Sequence, residues 1–251
     1  MAGHSKWHNI KIRKGKQDAI RGKLFTKIAR EIIVAAKTGG GNPDTNLRLK
    51  MAIQKAREAS MPQDNIKRAI QRGTGESGEG SNFDEITYEG YGPAGVAVLV
   101  ECLTDNKNRT VAELRHIFSK IGGNLGESGC VAWMFNQKGL IQIPAENSDE
   151  ESVMDACLEA GAEDITTNEG VIEVTTQPSD LNACKEALDA AGIEYTSAEV
   201  TMIPQTTVRV EDVKEATQIL RLMDALEDND DVQKAHANFD IPDEILQSAD
   251  I

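Results

Sequence analysis

Apolar residues recur with helical spacing in the first third of the chain. Between residues 17 and 37 they fall within one arc of about 140° at 100° per residue, which predicts an amphipathic helix with one core-facing side. The members of this arc are Leu24, Phe25, Ile28, Ala29, Ile32, Ala35 and Ala36. A second helix is predicted from a cap at Asp44 or Thr45 to about Ser60. A third is predicted at 62–72, because Pro62 suits a first helical turn.

Residues 73–82 are predicted to be a linker, because four of these ten residues are glycine and none is apolar. Beyond the linker, short apolar runs typical of strands alternate with amphipathic stretches typical of helices. The predicted elements are strands at 83–90 and 96–103, a helix at 108–120, a strand at 130–135, and, towards the end of the chain, a helix at 213–226 and a strand at 232–239.

Residues 140–203 form a compact unit between these elements. Strands at 140–143, 165–167, 170–176 and 195–203 and helices at 148–160 and 179–191 follow one another as βαββαβ, the ferredoxin-like order. The final helix and strand complete the set that begins at Phe83, so we expect this unit to be an insertion. The predicted fold class is α+β, with three domains: a basic three-helix domain at 1–78, an acidic α+β domain formed by 79–137 and 204–251, and the ferredoxin-like domain at 138–203.

Charge is distributed unevenly along the 251 residues. Residues 1–72 hold 17 Lys and Arg against 5 Asp and Glu, a net charge of +12, whereas the other 179 residues hold 10 and 36, a net charge of −26. A basic terminal module on an acidic body favours a polyanionic partner that contacts the module alone. Nucleic acid is therefore the predicted partner of residues 1–75.

Two basic segments and one further arginine are the candidate nucleic-acid contacts. The arm at 1–16 lacks the apolar content to fold alone and combines cations with an indole that can stack on a base, namely Lys6, Trp7, Lys11, Arg13, Lys14 and Lys16. On the first helix, a stripe within about 80° consists of Lys23, Lys27, Arg30 and Lys37. Arg109 projects from the polar segment 105–110, with Asn108 as the predicted helix cap.

A solvated tail, a solvated helix face and a plain cap are the alternative interpretations of these candidates. Because the stripe is predicted to point away from the core, replacing its cations is expected to change stability by no more than about 0.5 kcal/mol per site.

The sequence contains no pattern typical of a catalytic or metal site. Gly15 and Gly22 are too far apart for a phosphate-binding loop, and Leu24 stands where such a loop has Ser or Thr. His4 and His8 have helical spacing but lack the glutamate of a zinc protease. We therefore expect no enzymatic activity, no cofactor and no metal.

Cysteine usage and hydropathy indicate the cellular compartment in which the protein is expected. The four cysteines, Cys102, Cys130, Cys157 and Cys184, form no CxxC pair and are predicted to be reduced, mostly buried thiols. No segment has the apolar length of a membrane span or a secretory signal. A monomeric cytoplasmic protein without a membrane partner is expected.

Several motifs in this chain resemble those of one protein family. They are Met1-Ala-Gly-His-Ser-Lys-Trp7, Asn9-Ile-Lys11, Arg13-Lys14, Phe25-Thr-Lys27, Gly39-Gly-Gly-Asn-Pro43, Met61-Pro-Gln-Asp-Asn-Ile66 and Thr104-Asp-Asn-Lys-Asn-Arg-Thr110. Over essentially its whole length the chain resembles the YebC family, which includes a mitochondrial translational activator of cytochrome c oxidase subunit one. The resemblance implies an N-terminal helical domain, two α+β domains and no known catalytic activity.

The resemblance implies two functions at different levels of gene expression. One is that of a translation factor that works on the ribosome and its RNA, and the other is that of a DNA-binding transcriptional regulator. The sequence favours RNA, because the second and third helices offer mainly Lys and Arg, which contact phosphate, and few residues that read bases. A hydrolase or transferase working between the domains, and an acidic adaptor that recruits a basic protein such as a polymerase or ribosomal protein, are the other hypotheses.

Overall fold

A computed structural model describes residues 17–76, 82–168 and 170–248. The arm residues 1–16 lie outside these ranges. The chain divides into two compact units, of which one holds Trp133–Val208 with Asn238–Asp240 and the other holds the remaining described residues. Each unit is described by itself.

Three helices open the larger unit, as the apolar pattern predicts: α1 Gln17–Gly39, α2 Leu47–Glu58 and α3 Gln63–Thr74. Their shared core is built from Ile28, Ile32, Ile33, Ala35, Ala36, Leu49, Ala52, Ile53, Ala56, Met61, Ile66 and Ala69. The expectation that Leu24 faces this core is wrong, because Leu24 is 37% exposed. At 1.5 Å per residue α1 is about twice as long as either partner helix, so α2 and α3 cover only its later turns.

Asn46 and Gly73 make the contacts that bring the three helices together. Asn46 caps α2, rather than Asp44 or Thr45, and its side-chain oxygen accepts from the Leu49 N–H at 3.1 Å. The same side chain donates to the Ala35 carbonyl at 2.7 Å, so it joins the end of α1 to the start of α2. Gly73 of α3 lies so close to α1 that an added Cβ would stand 2.5 Å from the Ile33 carbonyl oxygen.

The first sheet of the larger unit is antiparallel and has the order β3-β1-β2-β9. Its strands are β1 Asp84–Tyr91, β2 Ala97–Thr104, β3 Asn124–Leu125 and β9 Val232–Ala237, and the helices α4 Lys107–Lys120 and α7 Val213–Asp228 belong to the same unit. Along the central strand β2, Cys102 stands opposite Ile86 and Val100 opposite Ala235. The tail of the chain therefore completes a sheet that begins about 150 residues earlier, as predicted.

The smaller unit contains the second sheet, with the order β5-β6-β4-β7. Its elements are β4 Phe135–Pro144, α5 Glu150–Cys157, β5 Ala162–Asn168, β6 Val171–Thr176, α6 Leu181–Ala191 and β7 Ser197–Pro204. The predicted α+β class with an inserted ferredoxin-like domain is thus confirmed. Short strands β8 Val208–Arg209 and β10 Phe239–Asp240 pair with each other, and helix α8 spans Asp243–Ser248.

The predicted strand at 130–135 is wrong. The Glu89 carboxylate accepts hydrogen bonds from the backbone N–H groups of Gly129, Val131 and Ala132 at 2.6, 2.7 and 2.7 Å. These donors are consequently withdrawn from strand pairing, Ala132–Met134 forms a short 3-10 turn, and the strand begins at Phe135. Burial opposes ionisation of Glu89, but the three backbone hydrogen bonds outweigh it and lower the pKa.

Three of the four cysteines are buried and none of the four is in a disulfide, in agreement with the expected thiols. Burial raises the pKa of Cys102 and of Cys157 to about 12, so both stay protonated at neutral pH. Among the described residues, no helix is both long and apolar enough to cross a membrane.

Candidate nucleic-acid interface

The arm candidates Lys6, Trp7, Lys11, Arg13, Lys14 and Lys16 lie outside the described residues and stay predictions. The structure does place the four α1 candidates and Arg109. It assigns different surroundings to them, and these surroundings decide which cations are available to a ligand.

Three α1 cations contact the C-terminal end of α7 and the loop that follows it. Lys23 Nζ lies 3.0 Å from Asp228 Oδ1, and Lys27 Nζ donates to the Glu227 carbonyl at 2.7 Å. Arg30 donates to the Asp231 carboxylate at 2.9 Å. We call Lys23, Lys27 and Arg30 the inner cations, because each is engaged by this acidic end of the same unit. Lys37 lies apart from them and donates to Asn82 Oδ1 at 3.0 Å.

Asp231 is the centre of a polar cluster in the larger unit. Its side chain is only 3% exposed and accepts from Arg30, from Arg109 at 2.7 Å and from Thr110 at 2.7 Å. The Thr104 hydroxyl also donates to Asp231, at 3.2 Å from Oδ2. We call these five residues the Asp231 cluster. It joins α1, β2 and α4 to the segment between α7 and β9.

The cluster keeps Asp231 ionised. Desolvation by burial raises the pKa of this carboxyl, but hydrogen bonds from Arg109 and Thr110 and the charge of Arg30 outweigh it, and the net pKa is lowered. Hydrogen bonds to Asp231 and Asp105 raise the pKa of Arg109 in turn.

Arg109 therefore projects outward only in part. The side chain is 42% exposed, yet its guanidinium is bound to Asp231 and to Asp105, at 2.9 Å from the latter. The cap of α4 is Asn106 rather than Asn108, because its side-chain oxygen accepts from the Arg109 N–H at 3.1 Å.

The small loss of stability expected on replacing the cations of the stripe does not apply to Arg30. Its side chain is 16% exposed and forms an ion pair with a buried carboxylate.

Helix α2 carries cations on both flanks of its apolar face, and the two flanks differ. Arg48 and Lys55, seven residues apart, form ion pairs with Glu85 and Glu31, the second at 3.2 Å. Lys50 and Arg57 are also seven residues apart and lie on the opposite flank, because 100° per residue separates the two pairs by about 160°. Both are exposed.

Helix α3 has an outward face of the same kind. Lys67, Arg68 and Arg72 are exposed, on the side opposite buried Ile66 and Ala69. We call Lys50, Arg57, Lys67, Arg68 and Arg72 the outer cations. Within the described ranges none of them pairs with a carboxylate; Arg68 donates only to the Asp64 carbonyl and, at 2.9 Å, to Asn65 Oδ1. None of these five residues was among the candidate contacts predicted from the sequence, although the Lys and Arg of the second and third helices were expected to contact phosphate.

A cleft of about 290 Å³ lies between α1, α2 and the first sheet within the larger unit. Its charged lining includes the Arg48–Glu85 and Lys55–Glu31 pairs, and its one thiol, Cys102, is held protonated by the raised pKa described above. Among the described residues, no group of three His, Cys, Asp or Glu side chains is arranged to hold a metal ion.

Fold and site together define a protein with a basic helical domain, two α+β domains and a cationic surface free of acidic partners in the described chain. Two family models match this chain. TACO1/YebC protein N-terminal domain matches residues 5–76, and TACO1/YebC second and third domain matches residues 83–239. The chain belongs to the TACO1/YebC family.

Individual relatives agree with this assignment. A protein of Persephonella marina is 56% identical over 98% of this chain and 99% of its own length, and one of Desulforapulum autotrophicum is 59% identical over 99% and 100%. Both are named probable transcriptional regulatory proteins. A crystal structure of a conserved hypothetical protein from Aquifex aeolicus is 50% identical, covers 92% of this chain and 94% of its own, and has a TM-score of 0.82.

Proposed function

We propose that this protein is a non-enzymatic regulator of gene expression that binds nucleic acid through its basic helical domain, and that it acts on ribosomal RNA as a translation factor. The observation that supports this most directly is the set of outer cations on α2 and α3. Cations without acidic partners are the ones that can neutralise phosphates at no internal cost, because no ion pair has to be broken.

The chemistry of α3 favours a ligand recognised through its backbone. Lys and Arg at exposed positions mostly contact phosphates, which carry no sequence information. Of the polar side chains that could read a base, Asn65 is already engaged by Arg68 at 2.9 Å, which leaves Gln63 and Gln71. Shape and charge recognition of this kind suits folded RNA, whose sequence is read mainly at unpaired bases. Trp7 in the arm would supply the stacking partner for such a base.

A DNA-binding transcriptional regulator is the second candidate, and two observations favour it. Relatives that are 55–59% identical are named probable transcriptional regulatory proteins. Helices α2 and α3 are joined by the four residues 59–62, with Ser60 in the left-handed conformation at φ 60°. Turns of about 3–4 residues also join the helices of helix-turn-helix DNA-binding motifs.

Crosslinking in growing cells separates the two candidates. The tagged full chain is crosslinked, and the attached nucleic acid is sequenced. We expect ribosomal RNA to dominate, and a variant with Lys67, Arg68 and Arg72 replaced by Glu to lose most of it. Enrichment of promoter DNA instead would establish transcriptional regulation, and equal recovery with the variant would exclude α3 as the contact surface.

A further inference from the structure

The C-terminal end of α7 concentrates negative charge. Its last turn contains no basic residue of its own, and Glu227, Asp228, Asp230 and Asp231 follow one another there with only Asn229 between them. A helix C-terminus carries a partial negative charge, so acidic side chains at this end repel both it and one another. Cations from another element are needed for compensation, and the inner cations of α1 supply them.

The contact between α1 and α7 has an exposed half and a buried half. In the exposed half, Lys23 is 44% exposed and Asp228 is 70% exposed, and Lys27 binds the Glu227 carbonyl beside them. In the buried half, Arg30 is 16% and Asp231 3% exposed. Exposed pairs contribute little and are weakened by salt, whereas separating a buried pair is costly. The two halves therefore differ in how easily a competitor displaces them.

We propose that the exposed half is an electrostatic latch, in which the end of α7 occupies Lys23 and Lys27 until a nucleic-acid backbone displaces it. This inference rests on the proposed function. The outer cations bind phosphate first, because they have no described acid to release. A nucleic-acid backbone bound by the outer cations then competes with Asp228 and the Glu227 carbonyl for Lys23 and Lys27. Arg30 remains paired with Asp231 and keeps α1 in place. The acidic end of α7 thus acts as an internal competitor that weakens binding of any polyanion too short or too weakly held to reach α1.

Zero-length carbodiimide crosslinking tests the latch in the full wild-type chain. The reagent joins an amine to a carboxylate only where the two are in contact. Lys23 and Asp228, 3.0 Å apart, should crosslink in the free protein. A single-stranded RNA with a 5′ hydroxyl, of about 30 nucleotides and so longer than common binding sites, should reduce that yield at saturation. Lys107–Asp84 at 3.3 Å and Lys138–Glu163 at 2.6 Å are internal controls whose yields should not change.

A second measurement uses matched variants. Asp228→Asn removes the competitor, so it should raise RNA affinity about two- to fivefold at low salt, the range expected for an exposed pair. Glu127→Gln makes the same change of charge at an exposed carboxylate that contacts no described cation, and it should leave the affinity within about 1.5-fold.

The outcomes separate the latch from the proposed function. RNA that binds without lowering the Lys23–Asp228 crosslink, or an equal rise in affinity from both variants, overturns the latch while the proposed function stands. RNA that does not bind the full chain at all overturns both, even though the crosslink still forms in the free protein.

Discussion

The inner cations of α1 and the outer cations of α2 and α3 are the same residue types in one helical domain, yet their surroundings are opposite. Lys23, Lys27 and Arg30 face the acidic end of α7, and every one of them binds it. The outer cations face away and bind no described carboxylate. Neither helical spacing nor local charge distinguishes the two sets, so the availability of a cation is decided by what the rest of the fold brings against it.

The largest expected effect concerns the buried side of this comparison. Asp231→Asn removes the charge that compensates Arg30 and Arg109, so we expect the free energy of unfolding to fall by about 3 kcal/mol. Urea denaturation of the full chain, followed by circular dichroism, measures it. Asp230→Asn is the matched control, because this neighbouring side chain is exposed, and its effect should stay within about 0.5 kcal/mol. Equal losses from both variants would mean that the Asp231 cluster is not a stabilising centre.

The outer cations carry the next largest effect. Replacing Lys67, Arg68 and Arg72 by Glu should reduce affinity for RNA or DNA at least about 30-fold and make the slope of log affinity against log salt shallower by about two to three. Electrophoretic mobility shift or fluorescence anisotropy at several salt concentrations gives both quantities. Replacing Lys107, Lys138 and Arg209 by Glu changes the net charge equally at cations that already pair with acids. If this control lost as much affinity as the α3 variant, net charge rather than a surface would explain binding.

The arm provides a third region against which both sets can be compared, and it separates RNA from DNA. A stacked base contributes about 1–3 kcal/mol, so Trp7→Ala should weaken binding to ribosomal RNA about tenfold. Duplex DNA, which offers no unstacked base, should be bound nearly as before. Parallel titrations of one protein preparation with both ligands give the ratio. A similar loss on both ligands would remove the support for RNA.

Periodicity predicted the three helices and the ferredoxin-like order, because these depend on patterns within short segments. The return of the tail to the first sheet was predicted from the number of helices and strands, because the final helix and strand complete the set that begins at Phe83. Neither predicted the inner contacts, since Lys23 and Asp228 are 205 residues apart in sequence and only the tertiary fold brings them together. The cap of α2 was misplaced for another reason. Asp44, Thr45 and Asn46 are consecutive residues that can all cap a helix, and only Asn46 also reaches the Ala35 carbonyl.

The predicted strand at 130–135 and the predicted outward projection of Arg109 were inaccurate for the same reason. In each case the residues pair with a partner far away in the sequence. Glu89 lies 40 residues before the Gly129 N–H group that it binds, and Arg109 lies 122 residues before Asp231. In both cases a buried carboxylate accepts hydrogen bonds from groups that the local sequence pattern assigns to a strand or to solvent. Sequence could have flagged Asp231 only as one acid among several in 227–231.

The smallest expected effect is the pH dependence of the inner contact. The pKa of Asp231 is lowered from its ordinary value of 3.8 in the folded state. Its ionised form therefore stabilises the fold fully above the unfolded value, and this contribution is lost as pH falls through the folded pKa. Wild type and Asp231→Asn should consequently differ most in unfolding free energy near pH 6, and the difference should shrink as the pH falls towards 3. Urea denaturation of both proteins across this pH range measures the difference. The contributions of all other carboxyl groups are common to both proteins and drop out of it. A difference that stays constant with pH would show that hydrogen bonding by the side chain, rather than its charge, holds Arg30 and Arg109.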